Sequence, residues 1–298
     1  MRNQKAADLD VREYLPNIIK SKHKATRATL TGLQEQIFDL CDGYDGAIDG
    51  MAPPAKKTWN DEERTALESC YSVGTIPLSK HKDNILSALK AQSEVNLQRC
   101  AYCMLSDPKT WDHYLPKESF PEYAVYHSNL LYICFGCNHR KSKHFHNAHL
   151  LYCHPYFSVD AGTALLHCQV TVAGGALAIK YYCAGTDALL AAGEVAQRHL
   201  ERLGLIDRFA AEGSSMVSGL ISELRQHFPH GVPDASLNGV LRRRYAEAQQ
   251  HLGINAWDSR LWHGLAHCVG FLDYANEKIQ FEGVPNANGF DVPAPPAA

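Results

Sequence analysis

Two Cys-x-x-Cys pairs constrain this chain more than any other feature: Cys100-Ala101-Tyr102-Cys103 and Cys134-Phe135-Gly136-Cys137. Each pair can form a tight turn that presents two thiolates to one ion, and two such turns complete a tetrahedral site. Four sulfur ligands leave no open coordination position. The zinc expected at Cys100, Cys103, Cys134 and Cys137 is therefore structural, a clamp on a short segment with little core of its own. An iron–sulfur cluster takes the same ligands, but the residues between the pairs point to zinc. The stretch Met1 to Asp10 is polar and lacks the apolar centre of a secretory signal. No run approaches about 18 apolar residues, so no membrane span is expected. A cytoplasmic, reducing location follows as the expectation, and it favours thiols and metal ligands over disulfides for the 10 cysteines.

Between and just after the pairs lie Trp111-Asp112-His113-Tyr114-Leu115-Pro116-Lys117, then Asn129, then Asn138 within Cys137-Asn138-His139-Arg140-Lys141-Ser142. Asp, His and Asn are hard or borderline ligand types, and here they sit beside a zinc knuckle. The combined pattern resembles the HNH nucleases in their zinc-clamped ββα-metal form. That family runs CxxC, Asp-His with a following Pro, an Asn, then CxxC-Asn-x-x-Lys. The resemblance implies a central ββα-metal module. It also implies His113 as general base, Asp112 and Asn138 as ligands of one catalytic divalent metal, and Asn129 as the residue that holds the loop and helps orient the base. Products with 5′-phosphate and 3′-hydroxyl ends are implied too.

The chemistry is coherent residue by residue. Phosphodiester hydrolysis needs an activated water and neutralised phosphate charge. His113 titrates in the right range to take a proton from water. Asp112 points to the opposite face of a regular strand, so the backbone must distort for both to address one phosphate. One carboxylate and one amide oxygen suit Mg²⁺, and Mn²⁺ is an equal candidate. A helix is expected to begin near Asn138. Its N-terminus, with Arg140, Lys141 and Lys143 close by and Lys117 behind the Asp-His pair, is the expected phosphate seat. Phe120, Tyr123 and Trp111 are expected to fill a small core.

The fold class expected is α+β: a mainly helical protein around the central module with its four-cysteine zinc site. Residues 1–95 form a helical lead-in and a partner-docking region, 96–150 the HNH module, 151–282 a strand pair with helices, and 283–298 a flexible tail. In the lead-in, Pro16 is expected to interrupt any helix. An apolar stripe of Leu30, Leu33, Ile37 and Leu40 fades at Asp42-Gly43. Asn60 and Glu63 form a capping box for a helix from Asp61 to Ser72, and another runs from Ser79 to Ala91. Further on, Ala173-Gly174-Gly175 turns a hairpin. Four helices follow: Asp187–Leu203, one carrying Val217 to Phe228, Leu237–Leu252 and Asp258–Tyr274. His263 and His267 lie one helical turn apart, but Gly264 stands where an HExxH motif needs Glu, so packing is their expected role. Cys153, Cys168, Cys183 and Cys268 have no knuckle spacing.

A formal net charge of -3 supplies no global field for nucleic acid. DNA is the substrate implied by resemblance, with RNA left open. The flanking pattern resembles HNH effectors encoded beside ATPases in bacterial defence systems, which implies an ATPase partner docking on 28–75 and on the C-terminal helices. A stand-alone restriction-like or phage-associated nuclease is the alternative, and a non-catalytic zinc-knuckle binding module a third. One ββα-metal site cuts one strand, so double-strand cleavage requires a homo-oligomer or sequential nicking.

Overall fold

A computed structural model describes residues 4–157, 162–186 and 189–280. The expected tail, 283–298, lies outside the described residues. The chain opens with helices α1 (Val11–Lys20), α2 (Lys24–Asp49), α3 (Asp61–Ser72), α4 (Ile76–Gln92) and the short α5 (Val95–Gln98). Strands β1 (Thr110–His113) and β2 (Leu130–Ile133) pair antiparallel, and β2 runs into α6 (Phe135–Lys141). A second antiparallel pair, β3 (Leu166–Ala173) and β4 (Ala176–Cys183), precedes α7 (Leu190–Arg202), α8 (Leu205–His227), α9 (Asp234–Leu252), α10 (Trp257–Ala266) and α11 (Phe271–Gln280). Helix and sheet are thus mixed, with two small sheets set among helices.

Several local signals read as expected. Asn60 Oδ1 accepts from the Glu63 amide at 2.9 Å while Glu63 Oε2 accepts from the Asn60 amide at 3.0 Å, the two halves of a capping box. Gly174 and Gly175 turn the hairpin with φ of 57° and 73°, which brings Ala173 opposite Ala176. Positive φ at both central residues matches the right-handed twist of the paired strands.

Other signals were overridden by packing. Pro16 sits inside α1 instead of ending it. The helix loses one backbone hydrogen bond there. Burial of Val11, Leu15, Ile18 and Ile19 along one face, with Asp10 capping the Arg12 amide, outweighs the loss. Helix α2 does not fade at Asp42-Gly43 but continues to Asp49, because Cys41, Tyr44 and Ile48 extend its buried stripe. Helix α4 starts earlier than Ser79, at a Thr75 cap with Pro77 in its first turn. Helix α8 begins at Leu205, directly after a left-handed Gly204. The expected helix Asp258–Tyr274 is two helices, broken at Gly270 with φ of 86°.

These elements enclose β1, β2 and α6 from both sides. From the N-terminal half, the Tyr44 hydroxyl of α2 donates to Asn129 Oδ1 at 2.9 Å, and Nε1 of Trp59, in the loop before α3, donates to Glu122 Oε2 at 2.8 Å. From the C-terminal half, His199 Nε2 meets the Tyr102 carbonyl at 3.0 Å, and Trp257 Nε1 donates to the Met104 carbonyl at 3.4 Å. Residues 4–95 therefore form part of the wall around the strands. Phe120 and Tyr123 are buried, as expected of core residues. Trp111 pairs across the strands with Tyr132, ring centroids 5.2 Å apart.

Candidate metal centre and active site

The four knuckle cysteines converge. Their Sγ atoms are buried and lie within 4.8 Å of one another, and Cys103 Sγ stands 3.8 Å from Cys134 Sγ. A tetrahedral zinc with Zn–S bonds of about 2.3 Å has sulfur–sulfur edges of about 3.8 Å, so the donor set fits this ion. Backbone amides face the sulfurs: Cys134 N donates to Cys100 Sγ at 3.3 Å, Cys137 N to Cys134 Sγ at 3.4 Å and Leu105 N to Cys103 Sγ at 3.5 Å. Arg208 of α8 adds a cation, with Nη1 3.8 Å from Cys137 Sγ and Nη2 3.9 Å from Cys103 Sγ. Amides and guanidinium together offset thiolate charge and orient the ligands.

Helix α6 begins at Phe135, with Cys134 as its N-cap, and not near Asn138 as the spacing predicted. Its N-terminus therefore belongs to the cysteine cluster, and Arg140, Lys141 and Lys143 lie at its other end. The expected phosphate seat on the N-terminus of this helix is absent for that reason. Lys141 is corrected further. It exposes 0 % of its side chain and cannot meet a phosphate in solvent. Its Nζ instead donates to Asp112 Oδ1 at 3.1 Å and to the His113 carbonyl at 2.7 Å. The Tyr102 hydroxyl reaches Asp112 Oδ2 at 3.4 Å. Burial pushes the Asp112 carboxyl above its usual range, and the Lys141 charge works against that rise.

His113 turns away from Asp112, as alternation along β1 requires. Its Nε2 lies 2.9 Å from the Ala124 carbonyl. A carbonyl only accepts, so Nε2 carries the proton and Nδ1 is the basic nitrogen. Burial pushes the imidazole down to about 4; the Ala124 carbonyl opposes the shift and Lys141 adds to it. The ring is neutral at pH 7. Tyr71 of α3 packs edge-on against it, centroids 4.3 Å apart.

Asn129 is fully buried and touches no solvent. Its Nδ2 donates to the Leu115 and Tyr123 carbonyls, each at 3.1 Å, and its Oδ1 accepts from Leu115 N at 2.7 Å as well as from Tyr44. It therefore pins the carbonyl next to the one that holds His113. Asn138 Nδ2 donates to Thr110 Oγ1 at 3.1 Å and to the Trp111 carbonyl at 3.2 Å, which leaves Oδ1 on the opposite side.

Asp112, His113 and Asn138 share one open cleft of about 260 Å³, with Lys117 and Lys143 on its walls. Lys117 Nζ is paired with Glu118 Oε1 at 2.8 Å. Arg140 is not part of the cleft; its guanidinium lies over Gly204, whose missing Cβ would stand 3.0 Å from Nη1. Asp112, Glu118 and Asn138 put hard oxygen donors in the cleft, with Asp112 held by Lys141 and Tyr102 and Glu118 paired with Lys117. Sequence reasoning missed Tyr71 and Lys82. Lys82 Nζ sits 4.0 Å above the Tyr71 ring and 5.8 Å from the Trp111 ring. Both come from helices remote in sequence, and no spacing signals them.

Comparison with known protein families, with curated proteins and with solved structures finds no match to this chain.

Proposed function

We propose that the chain is a metal-dependent endonuclease of the HNH type that hydrolyses DNA phosphodiesters. The observation that carries this reading is the His113 imidazole, fixed as a neutral Nδ1 base by the Ala124 carbonyl, in one cleft with Asp112 and Asn138. His113 Nδ1 accepts a proton as a water oxygen forms its bond to phosphorus and the bond from phosphorus to the 3′ oxygen breaks. The departing oxygen takes a proton from solvent. Asp112 and Asn138 would hold a Mg²⁺ or Mn²⁺, which would supply charge stabilisation at the phosphate. Lys141 fixes the Asp112 carboxylate and the His113 backbone together, and Asn129 fixes the loop behind the base. Lys117 and Lys143 offer positive charge to the incoming backbone. A zinc ion on the four cysteines would hold β2 and α6 against the Cys100 knuckle. The use of this activity as a defence effector with an ATPase partner remains part of the proposal.

The test is cleavage of supercoiled plasmid by zinc-replete protein with Mg²⁺ or Mn²⁺, His113→Ala alongside. Nicking that needs both the metal and His113 supports the reading. Cleavage that survives in the variant overturns the base assignment. Absence of cleavage by the wild type overturns a self-sufficient nuclease, and activity regained with an ATPase partner would recover the effector reading.

A further inference from the structure

We propose that the cleft between β3 and α10 binds a phosphomonoester group, with Arg260 as its anchor and His167, His263 and His267 around it. The cleft holds about 320 Å³ and is lined by these four residues together with Cys168, Gln169 and Tyr182. That volume is in the range of small-molecule pockets.

Arg260 is 5 % exposed, and its Nε is buried without any hydrogen-bond partner. Among the described residues no carboxylate lies within ion-pair distance of it. A buried guanidinium nitrogen without a partner is costly, and a guanidinium offers a planar fork suited to phosphate oxygens. The packing holds it there. A Cβ on Gly264 would stand 2.6 Å from the Cys168 carbonyl, so only glycine lets α10 press its backbone onto β3. Arg260, His263 and His267 then lie on the helix face over β3, opposite His167.

The imidazoles are arranged as well. His263 and His267 stack at 4.3 Å, and His267 Nδ1 donates to the His263 carbonyl at 2.8 Å, which turns its Nε2 outward. His167 stacks on Tyr182 at 5.2 Å. Burial, and then Arg260, hold His263 down to about 4, so it brings no second charge until an anion arrives. A tetrahedral dianion satisfies the guanidinium and favours protonated imidazoles. This site is separate from the Asp112–His113 cleft and stands whichever reaction that cleft performs.

The experiment is calorimetric titration of the full-length, zinc-loaded protein. The probes are inorganic phosphate, adenosine 5′-monophosphate, and a short oligonucleotide with and without a 5′-phosphate, all against chloride at matched ionic strength. Saturable binding of at least one phosphate probe is expected, weakened roughly tenfold or more by Arg260→Gln and by His263→Gln at unchanged zinc content. Phosphate alone, the mononucleotide, or the 5′-phosphorylated strand as the tightest probe identifies the source of the group. Binding no better than the chloride control, or unchanged in both variants, overturns the assignment; His263→Gln decides alone if Arg260→Gln does not fold.

Discussion

Lys141 Nζ lies 3.1 Å from Asp112 Oδ1, and the two side chains expose 0 % and 5 % of their surface. Removing one partner of such a pair strands the other as an uncompensated buried charge, at a cost of about 3–5 kcal/mol. Lys141→Met should therefore lower the unfolding free energy by about 3 kcal/mol or more in urea denaturation. Adding Asp112→Asn should recover much of that loss without restoring cleavage. A single variant that costs under about 1 kcal/mol would show that Asp112 is not charged in the native protein.

Asn129 forms hydrogen bonds through both ends of its amide, to Leu115, Tyr123 and Tyr44. Asp has the same shape but no N–H to donate. Asn129→Asp thus leaves the Leu115 and Tyr123 carbonyls facing a carboxylate, and about 2–4 kcal/mol of stability should be lost. The His113 ring would lose its fixed backing, so plasmid nicking should fall even at temperatures where the variant stays folded. Zinc content should not change, which separates this loop from the cysteine cluster.

Among the described residues, Arg208 is the side-chain cation that the C-terminal half places on the cysteine sulfurs. Outer-sphere partners of this kind typically carry about 10- to 100-fold in metal affinity. Arg208→Met should weaken zinc retention by about tenfold in competition with a chromophoric chelator. Cys134→Ser should do more: it removes a ligand while leaving a hydroxyl able to cap α6, and the purified protein should lose its zinc. Full zinc content in a folded Cys134→Ser protein would sink the four-sulfur assignment.

What the sequence made legible was local. The cysteine knuckles, the Asn60–Glu63 box and the Gly174-Gly175 turn each declare themselves within a few residues, and the structure contains all three. The position of Lys141 in the motif says that it matters and not which way it faces. Only the start of α6 at Phe135 turns it inward to Asp112. Tyr71 and Lys82 carry no local signal at all; they reach the site because α3 and α4 pack there. The same holds for His263 and His267, which read as ordinary helix residues until Gly264 brings α10 onto β3. Pro16 and Gly43 show the converse, strong local breakers overruled by buried faces.

Buried neutral histidines give the fold an acid limit. His81 donates from Nε2 to the Val125 carbonyl at 2.9 Å and stacks on Tyr14 at 3.8 Å, and burial pushes it down to about 4. His154 lies 3.0 Å from the Ser128 carbonyl through Nε2, and burial pushes it down to about 3. Unfolded histidine titrates near 6.5, so below about pH 6.5 the unfolded chain binds protons that the native protein refuses. Each group therefore contributes stability that is fully present above about pH 6.5 and is lost as pH falls towards its folded value, on the order of 3 kcal/mol over the whole window. Each steepens the fall by up to about 1.4 kcal/mol per pH unit. Glutamine keeps a donor for Val125 but cannot titrate. Urea unfolding of His81→Gln between pH 7 and pH 4.5 should accordingly show a slope shallower by close to one proton than the wild type. Parallel curves for the two proteins would mean that His81 is protonated in the folded state and that its contact with the Val125 carbonyl tolerates the charge.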